Sequence, residues 1–540
     1  MRKEIAWTGR VYWARPGFYL IQLIMRIRLF VLFVLILVQI EAFAQKPQPF
    51  YTASANKSLS KSMIFLNNDN ALVKIGKSVE GRYDYYWDEY LFLFDNNGEV
   101  IDSMYIHTLT AHYDYNGGYE GSWVSAKSSD MMRYPDGRLS MFLLNFTDSS
   151  AQMQRIDIGD DLSLSYTDFD WETSDIYQTA ETLEQWVVCT DGGVILAYLV
   201  DSMIYSQSGQ DYCGIRVLKF DAEGQKVGEY VFNDVPYFHV FSAFYLLPSP
   251  DLEGCRLVMR NLAPVPFAYD CYTMDGTLNV VSVNEHIDKL PTQNLCCDAA
   301  CVKMNPLNGK TYSINRGTSF NLNTGEVVHY QDVLMSMFDA ENYNQVAYAW
   351  GITSPTPCTI GFANSIDFDG DDGVYMVSGM DKNQAFSESL CIIRLDEDLN
   401  KLTEIYYKED NVELRYFGGI CVSSQGDVLI RCQVVKPNMP IFDAIYKVPK
   451  EAFDGIEEAH DAGFVMAVAY PNPGKDVLNI RTGLRDAWVE VYDLNGRLMH
   501  KQDITESVTG IEVGDWAEGI YVWKVMAEGK EAECGKWVKE

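Results

Sequence analysis

Read for alternation of apolar and polar positions, residues 60 to 455 of this 540-residue chain repeat one unit: a strand, a tight turn of Asp, Asn and Gly, a second strand, a variable connection, then another strand-turn-strand. The clearest copy is "QWVVCTDGGVILAYLV", Gln185 to Val200, followed by "GIRVLKFDAEGQKVGEYVF", Gly214 to Phe232. Asp-Gly-Gly supplies the positive φ angles a hairpin turn demands, and the flanking Val, Ile, Leu and Tyr suit a buried pleated surface. The plan recurs in "IDFDGDDGVYMVSGM" with "LCIIRLDEDLNKLTEIYY" and in "GICVSSQGDVLIRCQVV" with "AIYKVPKEAFDG". Weaker copies come first, at "SMIFLNNDNALVKIG" with "EYLFLFDNNGEVIDSMYI" and at "MMRYPDGRLSMFLLNF" with "MQRIDIGDDLSLSYTDF". Two degraded copies lie between, around "LEGCRLVMRNL" with "YDCYTMDGTLNVVSV" and "CVKMNPLNGKTYSI" with "SFNLNTGEVVHY".

Units start near Ser62, Ser129, Gln185, Phe241, Asp298, Ile366 and Gly418, in steps of roughly 50 to 70 residues, the size of a four-stranded blade with its loops. The predicted fold class is therefore all-β, a seven-bladed β-propeller over 45–455, since radial closure leaves only short protected strand edges. The poorly marked fourth and fifth units leave six or eight blades open, and a pair of β-sandwiches is the competing architecture. The wording of these turns also resembles propeller-like repeats common in large exported proteins of the Bacteroidetes; propellers host many activities, so this resemblance names none.

From about Phe464 the pattern changes to a compact set of strands, "VLNI", "WVEVYDLNGRLMHKQ", "TGIEVGDW", "EGIYVWKVMAEG" and "KEAECGKWVKE", which predicts a second small β module over 465–540. It opens at "AYPNPGKDVLNIRT", where prolines at 471 and 473 remove two backbone donors and stiffen the chain. The acidic stretch 456–464 before it reads as a solvated, cleavable linker or a helical spacer, and the stiff start predicts a module decoupled from the propeller.

At the other end, residues 25–44 read "MRIRLFVLFVLILVQIEAFA": two arginines, about ten apolar residues, then a small-residue site that predicts signal cleavage between Ala44 and Gln45. The apolar run falls short of the roughly twenty residues of a membrane span, so no transmembrane anchor is expected in the mature form. Residues 1–24, rich in Trp and Tyr, suit an upstream extension, with translation starting at Met25.

Net charge of −32 argues against nucleic acid or anionic lipid as partner. Twelve cysteines in an exported chain allow disulfides whose connectivity the sequence does not fix; Cys255 with Cys271 and Cys421 with Cys432, each flanking one hairpin, are the foremost candidate pairs, against the favoured reading of buried free thiols in a β core.

The C-terminal module carries Tyr470-Pro471-Asn472-Pro473, Leu478, a glycine turn at Gly496, Gly519-Ile520-Tyr521, and a basic end with Lys536 and Lys539. In this set it resembles the type A C-terminal sorting domain of the type IX secretion system. The resemblance implies an immunoglobulin-like β-sandwich, the type IX translocon as partner, a periplasmic route to the surface or medium, and removal on release or surface attachment. Cys534 and the trailing Glu540 depart from the pattern.

Familiar catalytic motifs are absent from the sequence: no zinc helix, nucleophile elbow or phosphate loop, and only seven scattered histidines. The 75 acidic residues supply too many carboxylate pairs for any to be informative. "DFDGDDG" could offer calcium oxygen ligands from Asp367, Asp369 and Asp371, against an ordinary acidic turn, and no other cofactor is predicted. "RYDYYWDEY" and "HYDYNGGYEGSW" place Tyr85, Trp87, Tyr113, Tyr115, Tyr119 and Trp123, beside acids, in what reads as connections between strands. Rings next to carboxylates suit a glycan, peptide or protein ligand, while packing between blades is the bland alternative. The favoured function is non-catalytic binding, with a propeller glycan hydrolase or a purely structural surface protein as alternatives.

Overall fold

In the computed structural model, the described residues run from 49 to 540, less the stretches 54–56, 67–68, 80–83, 113–122, 148–149, 174–183, 208–209, 238–243, 262–267, 288, 291–294, 322–326, 330–333, 351–357, 360–363, 382–386, 408–412, 416–418, 437, 455–464, 485, 507 and 528. The expected leader and the linker 456–464 lie outside them.

Among the described residues, the strands from Tyr51 to Val448 pair into seven antiparallel sheets, six of which keep chain order from one edge to the other. The first spans Lys57–Phe65 to Trp123–Val124, and the seventh is built on Val428–Val435 and Phe442–Val448. The outer strand of the seventh is the N-terminal Tyr51–Thr52, in register Tyr51 with Ile445 and Thr52 with Ala444, so the first residues close the last sheet.

Packing runs in a circuit. Leu72 and Leu91 of the first sheet meet Met141 and Ile156 of the second. Phe142 and Leu144 on the second sheet's other face meet Val194 and Leu196 of the third. The circuit continues through Ile195 with Leu257, Val258 with Phe338, Ile314 with Met376, and Val377 with Ile430. Leu429 and Ile445 of the seventh sheet then pack on Val73 and Phe94 of the first. Period-two alternation explains this, because neighbouring residues of one strand serve opposite interfaces. Closed in this way, the sheets form a β-propeller.

The hairpin turns share a device. Asp95, Asp221, Asp275, Asp396 and Asp493 each accept the backbone N–H groups two and four residues on, and Asp369 does the same with Asp371 and Gly373. The residue before the last donor takes positive φ: Gly98 at 85° and Gly224 at 83°, but also Leu278 at 65° and Leu399 at 66°. A left-handed leucine costs about 1–2 kcal/mol. Both leucines are buried, and burying such a side chain returns about 1.5–3 kcal/mol.

A second device joins neighbouring sheets. Arg155 of the second sheet donates to the Ala222 carbonyl at 2.9 Å, and Lys219 of the third to the Glu253 and Gly276 carbonyls at 2.8 and 3.0 Å. Buried Arg256 of the fourth donates to the Ala340 and Glu341 carbonyls at 2.6 and 2.9 Å. Each cation clasps a turn of the next sheet.

Two sequence expectations differ from the structure, at the fifth sheet and in the C-terminal module. The outer hairpin of the fifth sheet is Leu334–Phe338 with Gln345–Trp350, and Val327–His329 is a short strand beside Ser319 and Phe320. The cysteines Cys255, Cys271, Cys421 and Cys432 are free. Cys255 faces the third sheet and Cys271 the fifth, while Cys421 faces the first sheet and Cys432 the sixth, so each candidate pair is split across the two faces of its own sheet.

The C-terminal module is a β-sandwich of two sheets, three-stranded from Ala467–Tyr470, Val477–Thr482 and Val508–Glu512, and four-stranded from Ala487–Asp493, Leu498–Ile504, Gly519–Ala527 and Lys530–Lys539. Its core holds Leu478, Ile480, Val489, Val491, Trp523 and Trp537. It is not decoupled from the propeller: Arg481 of the sandwich and Glu404 of the sixth sheet, both fully buried, pair at 3.2 Å.

Candidate functional site

The sorting motif folds as a turn docked on the last strand. Asn472 donates its amide to the Lys536 carbonyl at 2.8 Å, and its oxygen accepts the Val538 N–H at 3.0 Å, so one side chain reads two backbone positions of Lys530–Lys539. The Trp537 indole donates to the Pro471 carbonyl at 2.6 Å. Gly474 exchanges backbone hydrogen bonds with Val538 and Glu540, and a Cβ there would lie 2.8 Å from both the Pro471 oxygen and Trp537 Cζ2. Only glycine permits this approach.

The basic end divides in two. Lys539 is buried, its ammonium donating to the Lys475 carbonyl at 2.5 Å, whereas Lys536 is exposed. Gly519, at φ 153°, stands opposite Lys539, and Tyr521, opposite Trp537, donates its hydroxyl to the Ala517 carbonyl at 2.8 Å. Tyr470 ends the first sandwich strand, in register with Asn479, and Gly496 closes the Asp493 turn at φ 78°. Lys536 therefore presents its charge to solvent, and Lys539 holds the turn.

Three of the aromatic candidates lie on strands of the first sheet. Tyr85 and Trp87 are not in a connection: they belong to the strand Asp84–Phe94, opposite Ala111 and Leu109. Tyr and Trp are strong strand formers, which is why the stretch extends the strand. Trp123 lies in Trp123–Val124, opposite His112. Tyr113, Tyr115 and Tyr119 lie outside the described residues. Tyr85, Trp87 and Trp123 thus share one end of the first sheet, away from the Asp95 turn.

Further along the same strands, Ile75, Lys77, Tyr90, Phe92 and Ser103 line a pocket of about 190 Å³. Tyr90 meets Tyr105 edge-on at 5.6 Å, and the Tyr105 hydroxyl lies 2.8 Å from Thr108, which donates to Asp88 at 2.6 Å. Tyr105, Met104, Ile101 and Val100 are exposed on the outermost long strand. On the opposite face, His107 stands 3.4 Å from Glu89, whose carboxylate accepts the Ser128 hydroxyl. Burial lowers the His107 pKa, Glu89 opposing and Lys74 reinforcing the shift. Phe92, Ser103 and Tyr105 were missed from sequence because they alternate as ordinary strand residues.

The carboxylates of "DFDGDDG" are not brought together. Asp367 accepts the Lys303 ammonium at 2.7 Å and the Val422 N–H at 2.7 Å. Asp369, buried, holds its own turn and accepts Tyr375 at 3.1 Å and Arg394 at 3.4 Å, which leaves Asp371 alone at the tip. Among the described residues no group of His, Cys, Asp and Glu is arranged to hold a metal ion. Nor are the buried cysteines poised as nucleophiles, since burial pushes Cys189, Cys213 and Cys271 up to about 12.

No sequence among curated proteins matches the chain. Structural likenesses are distant. A polysaccharide lyase, Uly1, shows 10% identity at a TM-score of 0.41, covering 75% of this chain and 93% of its own. The β-propeller domain of the Trilobed protease from Pyrococcus furiosus shows 9% identity at 0.40, covering 74% and 97%. PorZ, described as a surface component of the type IX secretion system of Porphyromonas gingivalis, shows 10% identity at 0.26, covering 90% and 82%. No helix among the described residues is long and apolar enough to cross a membrane. Residues 468–540 match the family model "Secretion system C-terminal sorting domain". The C-terminal sandwich is thus a type IX sorting domain, and the chain is cargo of that system, exported to the cell surface or secreted.

Proposed function

We propose that the propeller is a non-catalytic binding module for an extracellular glycan, peptide or protein of neutral or cationic character. The single observation that carries this reading is the pairing of Tyr85 with Ala111, Trp87 with Leu109 and Trp123 with His112, which sets three aromatic residues of two acid-rich stretches at one rim of the first sheet. Aromatic rings cover apolar C–H surface while neighbouring carboxylates accept hydroxyl or ammonium hydrogens. The charge of −32 adds the sign: it attracts cations and repels acidic polymers. In the same proposal residues 25–44 are the leader, cut between Ala44 and Gln45, that brings the chain to the periplasm.

The test is a glycan and peptide array with the mature chain, residues 45–540, followed by product analysis of every positive. Binding without product is expected, with Trp87→Ala and Trp123→Ala lowering the signal at unchanged melting temperature. Turnover of a bound glycan would replace the binding module with a hydrolase.

A further inference from the structure

The sorting domain touches the propeller through a built interface, and among the described residues its contacts are made by residues on either side of the stretch 455–464. On the propeller side stand the last four residues of Lys401–Tyr407, the outer strand of the sixth sheet, all buried although the strand lies at a sheet edge. Val465 covers that edge: it exchanges both backbone hydrogen bonds with Tyr406, each at 2.9 Å. Met466 enters the core between the sixth and seventh sheets, and Leu484 packs against both that core and the sandwich's own. Val465 and Val468 pack on the core between the fifth and sixth sheets.

At the centre is the carboxylate of Glu404. One oxygen takes Arg481 Nε at 3.2 Å and the Tyr406 hydroxyl at 2.5 Å, and the other takes Lys401 at 2.6 Å. Backbone approaches closely here, since a Cβ on Gly483 would lie 2.6 Å from Glu404 Cβ. A loosely tethered tag would show solvated charges and a polar edge; this one shares a desolvated ion pair and apolar cores with its cargo.

We propose that the domain 465–540 is a bound partner of the propeller in its own right, and that it stays seated on the sixth sheet after the chain is cut within 455–464. Cutting removes none of the contacts above. It removes only the effective concentration that the tether supplies. Scission would then nick the exported protein, leaving the sorting domain in place as its eighth packed β element.

The experiment uses the full mature chain with a site-specific protease sequence replacing residues 457–462, cut to completion and passed over gel filtration at 1 μM and at tenfold dilution steps. The expected result is co-elution of the two fragments, with Arg481→Ala and Gly483→Val each speeding separation at least tenfold. Both variants are first checked uncut for cooperative unfolding. Elution of the native 465–540 fragment alone at micromolar concentration would overturn the proposal, as would variants that hold the cut fragments as firmly as the parent.

Discussion

The amide of Asn472 spans Lys536 and Val538, accepting from one backbone position of the last strand and donating to the other at 3.0 and 2.8 Å. The sorting motif is therefore a mould of the C-terminal strand, and its two prolines frame the residue that does the reading. Asn472→Ala should expose the Val538 amide to exchange and cost about 0.5–1.5 kcal/mol of local stability, the net worth of a typical hydrogen bond. Hydrogen exchange at Val538 checks it, and secretion of the variant should fall with the protection. Lys536→Ala should leave that protection intact, because the side chain is exposed.

Arg256 is a fully buried clasp. Burial lowers its pKa, and its hydrogen bonds to the Ala340 and Glu341 carbonyls fix the glycine-free turn of the fifth sheet. Arg256→Met should cost about 1.5–3 kcal/mol, the usual worth of a hydrogen bond to a charged group. Urea unfolding measures the loss, and Lys219→Met, the clasp one sheet earlier, should give a loss of the same sign.

Acid should unfold the protein in two windows. The folded state holds His107 below its ordinary 6.5, chiefly by burial, so it favours the neutral ring; this stability is full above pH 6.5 and falls as pH drops toward the folded value. Glu404 acts lower. Burial raises its pKa, but Arg481 and Lys401 outweigh burial and leave it near about 2 against 4.5. Its contribution is present above pH 4.5 and is lost as pH falls toward 2. Melting curves from pH 8 to 3 should show His107→Gln flattening the upper window and Glu404→Gln the lower.

Calcium should leave the melting temperature unchanged at the "DFDGDDG" hairpin. The oxygens of Asp367 and Asp369 are taken by Lys303, Val422, Tyr375, Arg394 and the turn's own amides. Asp367→Ala should lower stability with or without calcium, and Asp371→Ala should be silent in both. A calcium-dependent rise in the parent, lost in Asp371→Ala, would show a cation at the tip.

Sequence pattern made the strands and most turns legible, because an aspartate followed by glycine two or three places on is a local instruction. It failed at the fifth sheet, where the turn after Phe338 has no glycine and Tyr343 takes φ 56° instead, its ring stacked on Phe338 at 4.7 Å. It left the cysteine pairing open because spacing along a hairpin does not report which face a residue serves. The strand Tyr51–Thr52 was invisible: two residues carry no periodicity, and their partners lie near residue 445. At the rim, composition found the aromatic stretches but read strand as connection. Glu404 and Arg481 each look like the polar half of an alternating strand, and only their meeting makes them an interface.

The closing strand also sets a timetable. Tyr51 pairs with Ile445, a contact that no fragment lacking either end of the propeller can form. Long-range pairings of this kind form late, after local hairpins, because closing the intervening loop costs entropy before any contact rewards it. A chain emerging from one end toward the other would thus carry six self-sufficient sheets and one that waits, and the ring locks when its last-made hairpin finds its first-made strand.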